Sequence, residues 1–440
     1  MSALARYYHA AGKTVSGYDK TSTVLTRRLA AEGIKIHYEE DITQIPENPE
    51  LIIYTPAVPK EHQEIQWLQK RGCELKKRAE VLGIISRKKR ALAVAGTHGK
   101  TTTTSLLTHI LKVGGIDSTA FLGGIAENYG SNFVAGNSDY VVVEADEYDR
   151  SFLHLSPEIA VVTSTDADHL DIYGDPDAML KSGFGAFVKQ VKRGGTLFLQ
   201  NDAAVKSRRK NVFRYGIGHG DYRAENIRVE DGWFVFDFKS KIEDINDIKT
   251  ALPGRHNIEN AVAAIAVAQQ LKVKGEAVKA ALLTFKGIRR RFEFMHRSDA
   301  GVYIDDYAHH PSELKAAIAA AKELFPGEKI TGIFQPHLYT RTRDFRDGFA
   351  EELSKLDEVI LLDIYPAREL PLPGVTSKVV FDQITNPHKI LTDKAQLLSE
   401  LDGKEFGVLM TLGAGDIDTF REPLREMMQR QEKFRIQNKK

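Results

Sequence analysis

Leu4, Tyr7, Tyr8 and Ala11 recur at helical spacing in SALARYYHAAG (2–12), and Gly12 gives that helix a natural C-terminal stop. TVSGYD (14–19) then reads as a short strand, and TSTVLTRRLAAEG (21–33) as a second helix opened by Thr or Ser and closed by Gly33. KIHYEE (35–40) and LIIYTPAVP (51–59) read as further strands, the second bounded by prolines. This β-α-β rhythm predicts a parallel, helix-covered sheet. A helix leading directly into a strand also predicts an earlier strand and turn ahead of residue 1, where dinucleotide-type folds carry their glycines and bind phosphate. A helix that simply caps the sheet is the alternative.

SRKKRALAVAG (86–96) switches from a solvated basic run to a buried strand, which places a boundary near Arg87. A second α/β region follows, with strands in DYVVVEADE (139–147) and AVVTSTDADHLD (160–171) and a long helix in NIENAVAAIAVAQQL (257–271). FKGIRRRFEFMHRSDAG (285–301) reads as a connector into a new strand, VYIDDYAHH (302–310). The rhythm then restarts: helix 312–325, strand 329–337, helix 344–356, strand 358–365 and strand 406–416. Three α/β domains result, over 1–87, 88–297 and 298–440, and 421–440 is expected to be a terminal helix fraying into solvent.

Composition narrows the functional classes. Sixty-one basic against 60 acidic side chains give a net charge of +1, which offers no electrostatic case for nucleic acid or an acidic membrane as main partner. KSRRKNVFR (206–214) is accordingly read as a solvated loop. The single cysteine, Cys73, rules out an internal disulfide framework and fits a reducing compartment. No stretch has the length of a membrane span, and residues 1–13 lack a signal-peptide layout, so a cytoplasmic protein is expected.

GTHGKTTTT (96–104) carries the chemistry. It has the ending of a phosphate loop, but Val94 stands where the generic motif has its first glycine. Gly96 and Gly99 let the backbone turn amides toward phosphate, Lys100 brings charge to the outer phosphates, and the Thr101 hydroxyl can hold Mg2+. A strand (91–95) before it and a helix (104–113) after it supply the required context and argue against a chance glycine-rich turn. Glu144 and Asp146 follow an apolar run, where a metal–phosphate site needs a carboxylate. Asp168, His169 and Asp171 cluster after the next strand; a lone histidine usually packs, but this one sits where α/β sheets place their sites.

GTHGKTTT, EADE, DHLDIYG, GRHNIENAVAA, RRRFE, DDYAHHP, FQPHLYTRTRDF and LGAGDI occur in the order seen in the Mur ligases of bacterial cell-wall synthesis, and the resemblance spans nearly the whole chain. It implies a Rossmann-like UDP-binding domain, a P-loop ATPase-type central domain and a Rossmann-like C-terminal domain. Members of that family commonly lack the first glycine, so Val94 is no defect. The blocks most resemble members that join L-alanine to the lactyl carboxylate of UDP-N-acetylmuramate with ATP and Mg2+, through an acyl phosphate. Implied partners are those two substrates, with no nucleic acid and no membrane, in a monomer or weak homodimer.

The resemblance also implies residue roles. Gly96, Thr97, His98, Gly99, Lys100, Thr101 and Thr102 form the ATP loop; Thr101, Glu144 and His169 hold metal; Lys100, Glu144, His169 and Arg291 are catalytic. His256, Asn257, Arg291, Asp306 and His309 are expected at the nucleotide, with Tyr307 packed beside it, although Asn257 could equally cap its helix. Arg289 and Arg290 are expected at the surface, and His310 could be a plain helix-entry residue. Asp19, His337, Arg341, Gly413 and Ala414 are expected at the substrates, Arg341 first because a planar guanidinium suits carboxylates. Arg343 could pair with Asp344, Leu338 departs from members with arginine there, and a bare turn competes as the reading of 413–415. Two rival functions remain: a ligase attaching a whole tripeptide to the same sugar, which diverges in the FQPHLYTRTRD block, and a non-catalytic UDP-sugar-binding paralogue.

Overall fold

The computed structural model describes residues 1–55, 58–59, 61–166, 173–367 and 369–438. The N-terminal strands pair in parallel as the rhythm predicts, Ser16–Tyr18 with Lys35–His37 and Ile52–Tyr54 with Leu75–Lys77. They form two separate two-stranded sheets rather than one. Each strand has 3 residues and none of those residues is fully buried, so little apolar surface draws the pairs together. The first helix, Ser2–Ala10, buries Leu4 and sets Tyr7 against Phe121, but Ala11 is exposed. Its inner face carries Arg6 instead, which donates to both carboxylate oxygens of Glu32 at 2.7 and 2.8 Å and to Asn132 at 3.2 Å.

The central element is Arg90–Ala95, whose residues 91–95 are wholly buried. It lies in parallel between Tyr140–Glu144 and Ile159–Val162 in a ten-stranded sheet. Thr119–Ala126 pairs outside Tyr140–Glu144, and Thr196–Gln200 outside Ile159–Val162, both in parallel. An apolar strand covered on both faces reads as a continuous hydrophobic run, which ALAVA is.

Downstream, a six-stranded sheet runs Glu293–Ser298, Gly301–Asp306, Val408–Leu412, Ile330–Phe334, Glu358–Leu361, Lys389–Leu391. The segment read as a connector therefore contributes an edge strand, antiparallel to Gly301–Asp306. The terminal helix, Arg421–Asn438, does not simply fray: Leu424 and Met428 are buried and Arg421 pairs with Glu293 and Asp305. Its outer face and its far end, with Phe434 and Ile436, are exposed.

The chain divides into two compact units, Met1–Glu225 with Phe238–Asn246 and Glu259–Leu282, and Asn226–Asp237 with Asp247–Ile258 and Leu283–Lys440. Among the described residues no helix is long and apolar enough to cross a membrane.

Candidate functional site

In the first unit the phosphate loop leaves the end of the central strand. Val94 is fully buried and pairs with Glu144 on one side and Val161 on the other, so its place needs an apolar strand residue and no glycine. Gly96 and Gly99 have φ of +139° and +82°, where side chains are strained. A Cβ at Gly96 would lie 2.0 Å from the Thr163 hydroxyl, and one at Gly99 2.4 Å from Asn260 Oδ1. The loop is pinned by the segment that follows the neighbouring strand: His98 N–H donates to the Ser164 hydroxyl at 2.8 Å, and the Thr97 hydroxyl donates to Asp166 O at 2.9 Å. Thr102 is buried in the first turn of the helix Lys100–Val113.

Lys100 opens that helix. Its ammonium donates to Gly96 O at 2.7 Å and Thr97 O at 3.3 Å and lies 2.7 Å from Glu147, whose side chain is 1% exposed. Burial opposes the charge, but the carboxylates of Glu147, Asp146 and Glu144 overcome it and hold the Lys100 pKa above its ordinary value. Next to it, the Thr101 hydroxyl donates to Glu144 Oε1 at 3.0 Å and Gly123 N–H donates to Oε2 at 2.8 Å. Burial pushes the Glu144 carboxyl up, against the pull of Lys100 and Thr101.

Two hard oxygens 3.0 Å apart suit Mg2+, because adjacent ligands of an octahedral shell with bonds near 2.1 Å lie about 3 Å apart. Thr101 and Glu144 fit the metal on this ground. Asp168, His169 and Asp171 lie outside the described residues.

The second unit gathers another set. Asp306 ends the strand Gly301–Asp306, and its carboxylate accepts from Phe292 N–H and Ala308 N–H, both at 2.7 Å. Burial pushes it up to about 6 against the attraction of Arg291. The Arg291 guanidinium lies 5.3 Å over the Tyr307 ring and 3.7 Å from Glu313. His309 Nδ1 meets Tyr307 O at 2.9 Å and Glu313 at 3.2 Å, and burial lowers its imidazole. Its ring meets that of His337 edge-on at 6.1 Å, and His337 stacks on Tyr365 at 5.7 Å. Arg341 is half-buried in the first turn of Tyr339–Leu353, and its charge helps keep His309 neutral. His256 is pulled down to about 4 by burial and by Arg291.

Several expectations change. Asn257 does not cap its helix: Arg255–Gln270 begins two residues earlier, and the Asn257 amide donates to Pro253 O at 2.7 Å. Arg290 is not a surface residue, its side chain being 12% exposed and ion-paired with Asp305; Arg289 is exposed. His310 caps the helix Pro311–Leu324 through Ser312 N–H, and Arg343 does pair with Asp344. Residues 413–415 are no bare turn. Gly413, at φ +140°, sits where a Cβ would be 2.7 Å from Gln335 O, and Arg290 holds the Gly413 and Gly415 carbonyls. Ala414 between them is half-buried. Asp19 is exposed at the end of its strand, with Oδ1 accepting from Thr21 N–H at 3.0 Å.

Glu147, Gly123 and Asn260 were not singled out in the sequence. EADE holds three acids, and only the fold decides which faces Lys100. A Cβ at Gly123 would lie 2.2 Å from the Glu144 carboxylate, a clash between residues 21 apart in sequence that spacing cannot reveal. Asn260 lies in the quoted GRHNIENAVAA block, three residues after Asn257, and accepts from the Thr103 hydroxyl at 3.1 Å.

Three family models match the chain: the Mur ligase family catalytic domain at residues 1–90, the Mur ligase middle domain at 94–268 and the Mur ligase glutamate ligase domain at 290–415. The UDP-N-acetylmuramate–L-alanine ligase of Flavobacterium johnsoniae is 49% identical over 97% of this chain and 95% of its own length. That of Parabacteroides distasonis is 49% identical over 98% and 95%. The crystal structure of the Thermotoga maritima UDP-N-acetylmuramate–alanine ligase superposes with a TM-score of 0.82 at 29% identity, covering 98% of this chain and 96% of that one. A murein peptide ligase from Psychrobacter arcticus shares the fold, at 0.68 and 23%, over 97% and 96%. The α/β class expected from the sequence holds.

Gly123→Ala should force Glu144 off Thr101. We expect Mg2+-dependent nucleotide affinity to fall about tenfold, the scale of one lost charge-assisted contact, with metal-free affinity unchanged; calorimetry with and without Mg2+ measures both, and equal losses would contradict the assignment. The Asp306 carboxyl, followed by carbon NMR, should titrate near 6. Its folded value exceeds the unfolded one, so stability should decline as pH rises between them, by up to about 3 kcal/mol. Arg291→Ala should move that midpoint higher still; a downward shift would refute the pairing.

Proposed function

This chain belongs to the Mur ligase family, and from that premise we propose that it joins L-alanine to the lactyl carboxylate of UDP-N-acetylmuramate, with ATP cleaved to ADP and phosphate, in peptidoglycan precursor synthesis in the cytoplasm. The observation that carries this reading is the convergence of Lys100, Thr101 and Glu144 in a chain 49% identical, over 97% of its length, to a ligase named for that reaction. The expected N-terminal, central and C-terminal domains, over 1–87, 88–297 and 298–440, then serve the UDP-sugar, ATP and the amino acid.

In the reaction a lactyl carboxylate oxygen attacks the γ-phosphorus and the bond to the β-phosphate oxygen breaks. The neutral amine of L-alanine then attacks the acyl carbon, its nitrogen gives up a proton to solvent, and phosphate leaves with the oxygen it gained. The first step brings two anions together, so its barrier is dominated by charge. Lys100 neutralises the outer phosphates: its ammonium already rests on the Gly96 and Thr97 carbonyls, and phosphate oxygens would take their place. Glu147 keeps that ammonium charged and aimed along the loop. Thr101 and Glu144, with His169, would hold Mg2+, which supplies Lewis-acid stabilisation of the phosphates when bound. In the second unit Arg291, Asp306, His309 and His256 are assigned to the nucleotide, and Arg341 and His337 to the carboxylates of the substrates, with residues 413–414 beside them. Asp19 is assigned to the UDP-sugar.

Amino-acid-dependent ADP release with ATP, Mg2+ and UDP-N-acetylmuramate tests the reading. L-alanine should drive release, and Lys100→Ala should cut turnover by about two to three orders of magnitude instead of merely raising a Michaelis constant. Near-normal turnover of Lys100→Ala would sink the role of the loop. Release with the tripeptide alone would move the activity to the ligase that attaches a whole tripeptide to the same sugar.

A further inference from the structure

Arg290 stands beside the arginine assigned to phosphate, yet it is the more buried of the two, its side chain 12% exposed against 34% for Arg291. Its backbone is left-handed at φ +59°, and Phe292, two residues on, is left-handed at +47°. Such conformations are costly for a non-glycine residue and persist only where the surroundings over-determine them. Here they do. Arg290 N–H donates to Glu293 at 2.8 Å, Tyr307 N–H donates to Arg290 O at 2.7 Å, and Phe292 N–H donates to Asp306 at 2.7 Å.

The guanidinium faces inward at each nitrogen. One terminal nitrogen donates to Gly413 O at 2.5 Å, and the other donates to Gly415 O at 3.3 Å and lies 3.7 Å from Asp418. Nε lies 3.4 Å from Asp305, which is 0% exposed and is also 3.0 Å from Arg421 of the terminal helix. The guanidinium carbon lies 5.0 Å from the centre of the Tyr307 ring. Both terminal nitrogens donate to backbone carbonyls of the 413–415 loop and Nε faces the buried Asp305 carboxylate, so the group is directed at protein. A planar fork can span two carbonyls and a carboxylate at once, whereas an ammonium cannot.

Resting on the ligase reading, we propose that Arg290 is a positioning residue: it locks the 413–415 loop to the strained turn that carries Arg291 and to Asp306 and Tyr307, so that these groups keep one arrangement through the reaction. The terminal helix, through Arg421 and Asp305, is the outer brace of the same lock.

Arg290→Lys tests this, since it keeps a charge opposite Asp305 and loses the fork. We expect kcat to fall at least about tenfold while the KM values for ATP and L-alanine stay within about threefold, with the melting temperature within a few degrees of wild type. Hydrogen exchange of amides in 408–417 and at Phe292 should accelerate about tenfold, and that of the phosphate loop should not change. An unchanged kcat, or a raised KM at constant kcat, would overturn the proposal, and so would unchanged exchange. The exchange arm needs no turnover: if wild type fails to ligate L-alanine, the ligase reading falls while the lock is still judged on its own.

Discussion

A lysine ammonium taken out of water needs nearby negative charge, and that need shapes the nucleotide end of this molecule. Lys100 is nearly buried at the mouth of the central strand, where three carboxylates, Glu144, Asp146 and Glu147, surround it on one short segment. One cation among three acids leaves the cluster short of positive charge, a balance that a divalent ion would redress. The positions follow from the sheet: Glu144 ends the strand paired with Arg90–Ala95, and Gly123 of the next strand has no side chain to push it away. Val94 belongs to the same logic, because the strand that aims the loop must be apolar to its end.

The second unit solves a related problem with arginines. Asp305 and Asp306 are successive residues whose side chains point to opposite faces of one strand. Asp305 is enclosed between Arg290 and Arg421, and Asp306 holds the turn that presents Arg291. Residues enclosed by ion pairs and residues proposed for the nucleotide therefore alternate along a single strand, and along the RRR run. The catalytic-looking residue and its support differ by one position.

That alternation explains what the sequence could and could not reveal. The phosphate loop, the Glu144 strand end and the long helices were legible because periodicity and short motifs are local. The split of the N-terminal strands into two pairs was not, since three-residue strands carry too little pattern to fix their partners. Arg290 is expected outside because arginines usually form solvated faces and three adjacent ones cannot all enter a site, while its burial depends on Asp305 of the strand Gly301–Asp306. Glu147 was hidden beside two equivalent acids. Asn257 looked like a cap because its residue type favours that position, but the helix starts at Arg255. The roles of residues from 167 to 172 rest on the sequence alone.

The central claim is that charge is neutralised so a carboxylate can take the γ-phosphate before the amine arrives. The direct measurement uses UDP-N-acetylmuramate with heavy oxygen in its lactyl carboxylate, turned over with ATP, Mg2+ and L-alanine. One labelled oxygen should appear in the released phosphate for each amide bond formed. Unlabelled phosphate accompanying labelled product would contradict it.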